Sequence, residues 1–564
     1  MKKGLILGIN PCIHGLNYHD PSVCLVDKDG IIFAIEEERL NGIKHSNGLF
    51  PTLAVNECIK IAHSLNNQIT DICIGHQPQL WENRGFSDAT SVLWRDPRLV
   101  LSTFIRNASG LNNATCHFYE HHLSHAASAY YFSGFNKALC VVFDGAAEIS
   151  AASIWLADNG SIQKLDEIPM PNSLGYFYAQ ATAFIGFQPW NEEGKLMALA
   201  PYGHSEVSIE KILDNWFAED GSDYNVSNLV EGALKNGYFL DLEKSSSLLC
   251  EYFSVSDRRP NDPILDFHKN FAYSVQKRVE RAVCQYITKW LNFTGSTNLC
   301  CSGGLFMNCK MNGIIRDVLP INKIFIQPVS GDAGTAIGAS LLRLNEIGHK
   351  PTTPLDLSIG LGFTDSEIEY SLQTSSLKYR KSQNIVQDTA KLIADGKIIC
   401  WFQGRSEIGS RALCHRSILA PPFPTTIANE INARIKHREL WRPFACSILN
   451  NNLDGIFVNF NKSQSPFYMI EAFKVKEEWE NRFKAVMHPA DHTTRPQVIN
   501  DSASNTLIQA VISEFYKRTG YPMILNTSLN DKGQPIITYP AEAIDFFIKH
   551  DVDALVIGSF ILEK

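Results

Sequence analysis

Four side chains in the N-terminal part of this 564-residue chain could bind one metal ion. His121 and His125 stand four positions apart, and on a helix this spacing puts both imidazoles on one face. Asp144 ends an apolar run, and Asp332 lies in a glycine-rich segment. Such a mixed nitrogen and oxygen set suits Fe(II), which we favour, or Mn(II) or Zn(II). A histidine pair also occurs as a capping or core feature, so the spacing alone leaves both interpretations open.

The elements that position these ligands are predicted to include two β-hairpins. Apolar runs joined by a turn occur twice, once around Asp27–Gly30 and again around Asp158–Gly160. Two such units, each followed by helical segments such as 270–291, predict a duplicated α/β core. Actin-like and sugar-kinase-like ATPases share this architecture and hold nucleotide phosphates between two halves.

Glycine-rich turns follow two further predicted strands. Gly303 and Gly304 end the first strand, and segment 331–338 after the second begins a predicted helix that carries Asp332. Backbone amides at such turns approach anions closely, and the helix dipole assists. Small residues also permit close packing, but because Asp332 lies here we favour a phosphate and metal role. Gly303 and Gly304 are possible phosphate or acceptor contacts.

Residues beyond a boundary at 349–362 carry most of the clustered cations. The boundary is rich in proline and glycine. Arginine forks match phosphate oxygens, and asparagine or serine at strand ends can fix an adenylate. We favour an anion pocket over a solvated basic face, because the cations lie among glycine, proline and tryptophan. The segments concerned are 404–417, 436–442, 492–497 and 525–530.

Composition excludes several classes of protein. The formal net charge of −8 argues against a nucleic-acid partner, because phosphate binding needs a basic surface. No apolar run reaches membrane-spanning length, and residues 1–8 predict a first strand rather than a signal peptide. The 14 cysteines form no C-x-x-C pair, which indicates reduced thiols and a cytoplasmic location.

Four motifs follow one another along most of the chain. The first is His-Asp-Pro-Ser at 19–22 with Glu-Glu-Glu-Arg at 36–39 and Lys-His at 44–45. The second is His-His-Leu-Ser-His at 121–125, and the third is Glu-Gly-Lys-Leu-Met at 193–197 with Leu-Ala-Pro-Tyr-Gly at 199–203. The fourth combines Arg-Ala-Leu at 411–413, Arg-Pro-Phe-Ala at 442–445, Arg-Pro-Gln at 495–497 and Asn-Thr-Ser-Leu-Asn at 526–530. In this order they resemble the O-carbamoyltransferase family typified by NodU, CmcH and TobZ.

The resemblance implies a two-part enzyme. Residues 1–355 would form an actin-like, metal-bearing carbamoyl-transfer domain, a fold shared with the tRNA threonylcarbamoyl transferases. Residues 365–564 would form a YrdC-like α/β domain that makes carbamoyl-adenylate from carbamoyl phosphate and ATP. The intermediate would pass to the metal site, where a hydroxyl of a small-molecule acceptor, such as a sugar, an antibiotic or another natural product, attacks it.

The resemblance also implies roles for individual residues. His19 is the expected general base, since imidazole titrates near neutral pH, and His14 is the alternative. His121, His125, Asp144 and Asp332 carry over as metal ligands, whereas His122 should face elsewhere on the helix. Lys195 is a possible acceptor contact. The expected nucleotide and carbamoyl phosphate contacts are Arg411, Lys436, Arg442, Arg495, Asn526 and Ser528.

Some features depart from the family pattern or stay open. Cys414 stands where Arg-Ala-Leu is usually followed by glycine, and Leu529 replaces a phenylalanine. Segment 204–260 matches no pattern and could form acceptor-binding surface. The sequence leaves open whether the protein forms a homodimer. Two alternative functions are a tRNA-modifying fusion that makes threonylcarbamoyl-adenosine, and a non-catalytic, actin-like nucleotide-binding scaffold.

Overall fold

A computed structural model describes residues 4–12, 19–80, 97–221, 223–235, 239–260, 262–351, 356–451 and 453–564. Its Cα packing divides the chain into two compact units. The terminal unit comprises residues 1–68, which we call the N-terminal segment, together with residues 352–461 and 465–564. The central unit comprises residues 69–351 and 462–464. The N-terminal segment therefore packs with the C-terminal part of the chain. The predicted division of activities between residues 1–355 and 365–564 stays a prediction.

The strands have these bounds: β1 Gly4–Asn10, β2 Ser22–Asp27, β3 Gly30–Glu36, β4 Gln68–Ile74, β5 Thr115–Phe118, β6 Lys137–Phe143, β7 Ser150–Asp158, β8 Ser161–Pro169, β9 Ala218–Asp220, β10 Asp223–Asn225, β11 Leu234–Lys235, β12 Phe239–Leu240, β13 Asn298–Ser302, β14 Lys323–Ile326, β15 Arg380–Lys381, β16 Ile399–Phe402, β17 Arg416–Ala420, β18 Ala445–Leu449, β19 Phe473–Lys474, β20 Thr493–Thr494, β21 Gln497–Ile499, β22 Met523–Ser528, β23 Ala554–Ile557 and β24 Phe560–Glu563.

The α-helices have these bounds: α1 Glu38–Asn41, α2 Thr52–Ser64, α3 Pro97–Ser109, α4 His121–Ser133, α5 Leu174–Phe184, α6 Glu193–Leu199, α7 Val207–Asp214, α8 Ser227–Gly232, α9 Leu242–Phe253, α10 Asp266–Thr294, α11 Cys309–Val318, α12 Ala333–Glu346, α13 Asp365–Thr374, α14 Ile385–Ala394, α15 Thr426–Ile431, α16 Glu477–Phe483, α17 Thr506–Thr519 and α18 Pro540–Lys549.

The central unit contains a five-stranded sheet in the order β14-β13-β6-β7-β8. Strands β6, β7 and β8 form an antiparallel meander, and β13 runs parallel to both β6 and β14. Strands β1, β2 and β3 of the terminal unit form a second antiparallel meander. The predicted repetition of the hairpin is therefore present, and the mixed α/β fold class is confirmed.

The terminal unit also contains an eight-stranded sheet in the order β15-β24-β23-β16-β17-β22-β18-β21. Alternate residues of β16 enter two separate apolar clusters, so both faces of the sheet are covered. Ile399 and Trp401 pack with α14 and α17, whereas Cys400 and Phe402 pack with α13, α15 and α18. Side chains at the ends of these strands are consequently fixed by a rigid, two-sided core.

Close packing of α12 on α4 explains why position 338 is occupied by glycine. A Cβ atom on Gly338 would lie 1.8 Å from the carbonyl oxygen of Ser124, and one on Gly334 would lie 2.0 Å from that of Val329. The structure thus gives these glycines a packing role. The predicted phosphate contact of this segment stays a prediction.

No helix within the described ranges is both long and apolar enough to cross a membrane.

We expect Gly338→Ala to lower stability by about 1–3 kcal/mol, because α12 or α4 must move to admit the methyl group. Gly194→Ala is the matched control, since a Cβ there would have no neighbour within 4 Å. Alanine in α6 should be neutral or stabilise by up to about 1 kcal/mol. Thermal unfolding of both variants tests this; equal midpoints would contradict the packing argument.

Candidate active site

The predicted metal ligands come together in the central unit, although they lie far apart in sequence. His121 and His125 are on the first two turns of α4, Asp144 directly follows β6, and Asp332 directly precedes α12. One ligand atom from each lies within 4.8 Å of the others. Both histidines are completely buried. The predicted four-residue cluster is therefore present in the structure.

The distances place both imidazole Nε2 atoms at the centre of the cluster. His121 Nε2 lies 3.2 Å from Asp144 Oδ2, 3.2 Å from His125 Nε2 and 3.6 Å from Asp332 Oδ1. His125 Nε2 lies 3.6 Å from Asp144 Oδ2 and 3.8 Å from Asp332 Oδ1. Two nitrogens and two carboxylates thus surround one small volume.

The outer contacts of the imidazoles select the protonation that a metal ligand needs. His121 Nδ1 lies 3.0 Å from the carbonyl oxygen of Gly75, which can only accept a hydrogen bond, so Nδ1 carries the proton. His125 Nδ1 lies 3.2 Å from Ser302 Oγ. With the Nδ1 proton of His121 held by Gly75, Nε2 is the nitrogen through which this imidazole would bind a metal, and the Nε2 atom of His125 faces the same volume. The donor set therefore fits a divalent transition metal.

Burial and mutual attraction govern the charges of these four groups. Burial lowers the pKa of His121, but its hydrogen bonds to the carboxylates of Asp144 and Asp332 outweigh it, and the pKa is raised well above its usual value. Burial raises the pKa of Asp144, but His121 and His125 outweigh it and hold that pKa well below its usual value. The cluster therefore favours ionised carboxylates with positive charge between them.

Gly303 and Gly304 support one of the ligands. The backbone N–H of Gly304 donates to Asp144 Oδ1 over 3.0 Å. Gly303 has a φ of 100°, and a Cβ there would lie 2.2 Å from the carbonyl oxygen of Phe143. Only glycine fits this turn, which orients the Asp144 carboxylate. Direct contact of these glycines with phosphate or acceptor stays a prediction.

His122 and Lys195 have surroundings of their own. His122 is fully buried, its ring nitrogens have no hydrogen-bond partner within the described part of the chain, and burial lowers its pKa well below the usual value. It is a neutral core residue. Lys195 is nearly buried in α6, where its Nζ lies 2.6 Å from Glu192. Its predicted acceptor contact stays a prediction.

In the terminal unit, His19 belongs to a second cluster built around Asp20. His19 Nδ1 lies 2.9 Å from Asp20 Oδ2, and His45 Nδ1 lies 2.7 Å from Asp20 Oδ1. One carboxylate therefore holds two imidazoles. A proton on His19 Nδ1 would be held by Asp20, which leaves Nε2 as the basic nitrogen. The side chain of His19 is 39% exposed, so a reactant can reach it. His14, the alternative base, lies outside the described residues.

The charges of this second cluster are coupled. Burial lowers the pKa of His45, but the Asp20 carboxylate outweighs it and raises the pKa above its usual value. Burial raises the pKa of Asp20, but hydrogen bonds from both histidines hold it well below its usual value. Glu38 accepts the backbone N–H of His45 over 2.7 Å, and both of its oxygens lie 3.0 Å from Lys44 Nζ. Lys44 thus neutralises Glu38, and His45 links Glu38 to Asp20.

The C-terminal cations also approach one another. Burial, followed by the charges of Arg442 and Arg495, lowers the pKa of Arg438 to about 9. Burial, followed by the charge of Arg438, lowers the pKa of Lys436 to about 7. Glu439, 3.7 Å from Arg442, and Asp531 act in the opposite direction. Cations outnumber carboxylates among the groups that set these two pKa values, which is the charge balance of an anion site.

Lys436 also fastens the segment that carries Asn526 and Ser528. Its Nζ donates to the carbonyl oxygens of Ser528, over 2.5 Å, and Asn530, over 2.9 Å. Ser528 Oγ donates to Asn530 Oδ1 over 2.6 Å. Lys436 therefore shapes the end of β22. Its direct contact with phosphate stays a prediction.

Asn526 lies deeper than a ligand contact at a strand end would require. It is 1% exposed, and its Nδ2 lies 2.9 Å from Ser447 Oγ, 3.1 Å from the carbonyl oxygen of Ala412 and 3.2 Å from Gln497 Oε1. Cys414 joins the same network and has a φ of 66°. Glycine adopts this left-handed conformation freely, so the loop keeps the shape expected of the family's glycine despite the thiol.

Two models of carbamoyltransferase halves match this chain. The model described as "Carbamoyltransferase N-terminus" matches residues 105–341, and the one described as "Carbamoyltransferase C-terminus" matches residues 390–564. Nodulation protein NolNO of Sinorhizobium fredii (strain NBRC 101917 / NGR234) is 32% identical over 97% of this chain and 79% of its own length. The chain belongs to the carbamoyltransferase family. Nodulation protein U of Rhizobium fredii is 26% identical over 94% of this carbamoyltransferase and 91% of its own length.

Among solved structures, the crystal structure of T. kodakarensis HypF aligns with 62% of this carbamoyltransferase and 48% of that chain, at 15% identity and a TM-score of 0.33. This weak similarity supports no statement about function.

Sequence reasoning missed three residues that the structure adds to these sites of the carbamoyltransferase. Asp20 and His45 join His19, and Arg438 lies among the expected phosphate contacts. Asp20 and His45 lie in the first motif and Arg438 lies in the cation-rich segment 436–442, so proximity to a predicted residue was the available signal. Glu148 is a fourth: it is buried and accepts the backbone N–H of His121 over 3.0 Å at the start of α4.

We expect His121→Ala and Asp332→Asn to lower metal affinity by roughly tenfold or more, because each removes one ligand. His122→Leu is the matched control, since it replaces a buried, neutral neighbour on the same helix. Metal content of each purified protein, measured by inductively coupled plasma mass spectrometry after equilibration with Fe(II), Mn(II) or Zn(II), tests the site. Full loading of both ligand variants would contradict it.

We expect nucleotide affinity to fall as the pH rises from 7 to 9. Lys436 has a pKa of about 7, so it loses its charge in this range, and anion binding must then take up a proton. The association constant for ATP should fall by up to about tenfold per pH unit. Lys436→Arg should flatten the profile, because arginine stays charged. Isothermal titration calorimetry measures both; a flat wild-type profile would contradict the assignment.

Proposed function

We propose that this carbamoyltransferase is an ATP-dependent O-carbamoyltransferase that works through carbamoyl-adenylate. The observation that carries this proposal is a group of four neighbouring cations. Burial and the charges of Arg438 and Arg442 lower the pKa of Lys436, and burial and the charges of Arg442 and Arg495 lower the pKa of Arg438. Like charges held together in this way are stabilised by a polyanion such as the triphosphate of ATP.

We assign this cation group to the activation step, in which carbamoyl-adenylate forms. Carbamate is a poor electrophile, and carbamoyl phosphate decomposes in water, so activation needs a closed, cationic chamber. Water would hydrolyse carbamoyl phosphate to carbamate and inorganic phosphate. A carbamate oxygen would then attack the α-phosphorus of ATP, which forms carbamoyl-adenylate and releases pyrophosphate. Arg411, Arg442 and Arg495 would neutralise the charge that develops on the phosphate oxygens.

Transfer to an acceptor requires a base and an electrophile. We assign the base to His19, whose Nδ1 is held by Asp20, so that Nε2 would accept the proton of the acceptor hydroxyl. The hydroxyl oxygen would attack the carbamoyl carbon of carbamoyl-adenylate, and AMP would leave. A divalent cation held by His121, His125, Asp144 and Asp332, with Fe(II) as our first choice, would supply Lewis-acid polarisation. The acceptor would be a small molecule that presents a hydroxyl group, and residues 204–260, which include α7, α8 and α9, would contribute to its binding.

Pyrophosphate release from ATP, measured without acceptor, tests the activation step. We expect release with carbamoyl phosphate and none without it. Threonine with bicarbonate, supplied in place of carbamoyl phosphate, distinguishes the tRNA-modifying alternative. Release that requires threonine would favour that alternative, and no release under any of these conditions would favour the non-catalytic scaffold.

Variants should separate the two steps. His19→Ala should abolish carbamoyl transfer and leave pyrophosphate release intact, because the base acts only on the acceptor. Arg495→Ala should lower pyrophosphate release by roughly a hundredfold, the usual loss when one stabilising donor is removed. Both steps are followed with a generic polyol acceptor and radiolabelled carbamoyl phosphate. Loss of both steps in His19→Ala would overturn this division of roles.

A further inference from the structure

The Glu-Glu-Glu-Arg run at 36–39 is the part of the first motif that the proposed mechanism leaves without a role. All four side chains are buried, with exposures of 6%, 3%, 6% and 2% in sequence order. Four consecutive buried ionisable groups are rare, because each loses its hydration and must be compensated within the fold. Their contacts therefore indicate what the run is for.

Two of the four side chains serve the neighbouring backbone. Glu37 accepts the N–H groups of Leu53 and Ala54 at the start of α2, over 3.1 and 2.8 Å. Glu38 binds Lys44 and the backbone of His45, as described above. These contacts stay within the N-terminal segment.

The other two side chains contact a single distant residue, Gly409. Glu36 Oε1 accepts the backbone N–H of Gly409 over 2.6 Å, and the Arg39 guanidinium donates to the carbonyl oxygen of Gly409. The two side chains also pair with each other, with Arg39 Nε 3.5 Å from Glu36 Oε2. Both polar groups of the Gly409 backbone are thus held by one buried ion pair. Gly409 has a φ of 99°, which glycine alone adopts readily.

Gly409 lies two residues before Arg411, one of the expected phosphate contacts. The remainder of this loop is fixed by contacts of its own. Glu407 accepts the N–H of Leu413 over 2.8 Å, and Arg416 donates to the carbonyl oxygens of Gln403 and Gly404 over 2.8 and 3.2 Å.

A second set of bonds ties the start of the loop to the same strand of the N-terminal segment. Arg405 donates to the carbonyl oxygens of Ile32, over 3.0 Å, and of Ile359, over 2.5 Å. The backbone N–H of Ala34 donates to the same carbonyl oxygen of Ile359. Strand β3 and the turn after it therefore hold residues 404–411 at both ends through hydrogen bonds.

We propose that Glu36 and Arg39 are positioning residues of the carbamoyl-adenylate-forming site, which act by holding Gly409 so that Arg411 faces the phosphates. The inference rests on the proposed function and deepens it. It assigns part of the adenylating machinery to the N-terminal segment, which the sequence places with the transfer domain. The ion pair is a costly way to stabilise a fold, since apolar residues of similar volume would serve as well or better. Its geometry is better suited to fixing a loop.

The double variant Glu36→Gln with Arg39→Met tests this role. It removes both charges together, so neither is left buried without a partner. Glu37→Gln is the matched control, because Glu37 is equally buried in the same turn but contacts only α2. We expect kcat/KM for carbamoyl phosphate-dependent pyrophosphate release to fall by roughly tenfold or more in the double variant, as a small misplacement of a charged group does. The control should retain the wild-type value.

A double-mutant cycle distinguishes positioning from a general loss of structure. If Glu36 and Arg39 act through Arg411, their replacement should have little further effect in an Arg411→Lys background. Gly409→Ala, which strains the same loop from its other side, should reproduce the loss without touching either charge. Thermal unfolding of each variant accompanies the kinetics.

The outcomes separate this inference from the proposed function. A double variant with wild-type kcat/KM, or with an effect that multiplies fully with that of Arg411→Lys, would overturn the positioning role while the proposed function stands. A wild-type protein that releases no pyrophosphate would overturn the proposed function and this inference together.

Discussion

Buried charges are concentrated at two places in this protein, and each place depends on charge of the opposite sign for its stability. In the central unit, Asp144 and Asp332 lie beside two buried imidazoles whose Nε2 atoms face inward. In the terminal unit, Lys436 and Arg438 lie near two more arginines. Buried charge is unfavourable in a low-dielectric interior unless opposite charge compensates it, either from the protein or from a ligand. Both places are therefore candidate binding sites.

The backbone around each site is constrained accordingly. Gly303 and Gly338 allow approaches that a Cβ atom would prevent, and they fix Asp144 and α4 respectively. In the terminal unit, Lys436 fastens the end of β22, and the ion pair of Glu36 and Arg39 holds Gly409. The fold thus devotes several of its buried polar groups to orienting residues rather than to stability, as expected where catalysis depends on preorganised charge.

Much of this architecture follows from sequence because it is local. Strand and turn patterns predict both antiparallel meanders, and the spacing of His121 and His125 predicts one helical face, which α4 provides. What sequence could not give depends on pairing between distant segments. Asn526 is buried beside Ala412 and Ser447, because the register of β22 with β17 and β18 decides which face it occupies, and its contact with a ligand stays a prediction. The contact of Glu36 with Gly409 likewise joins residues 373 positions apart, which no periodicity reveals.

The central claim is that activation and transfer are separate reactions at separate sites. It is tested most directly by rapid quenching of a single turnover of the Asp332→Asn protein with magnesium, ATP and carbamoyl phosphate, followed by mass spectrometry of the nucleotides. We expect carbamoyl-adenylate to accumulate, because the substitution leaves the proposed activating site unchanged and removes a ligand of the proposed transfer site. Absence of the intermediate in this variant, when the wild-type protein consumes both substrates, would contradict the claim.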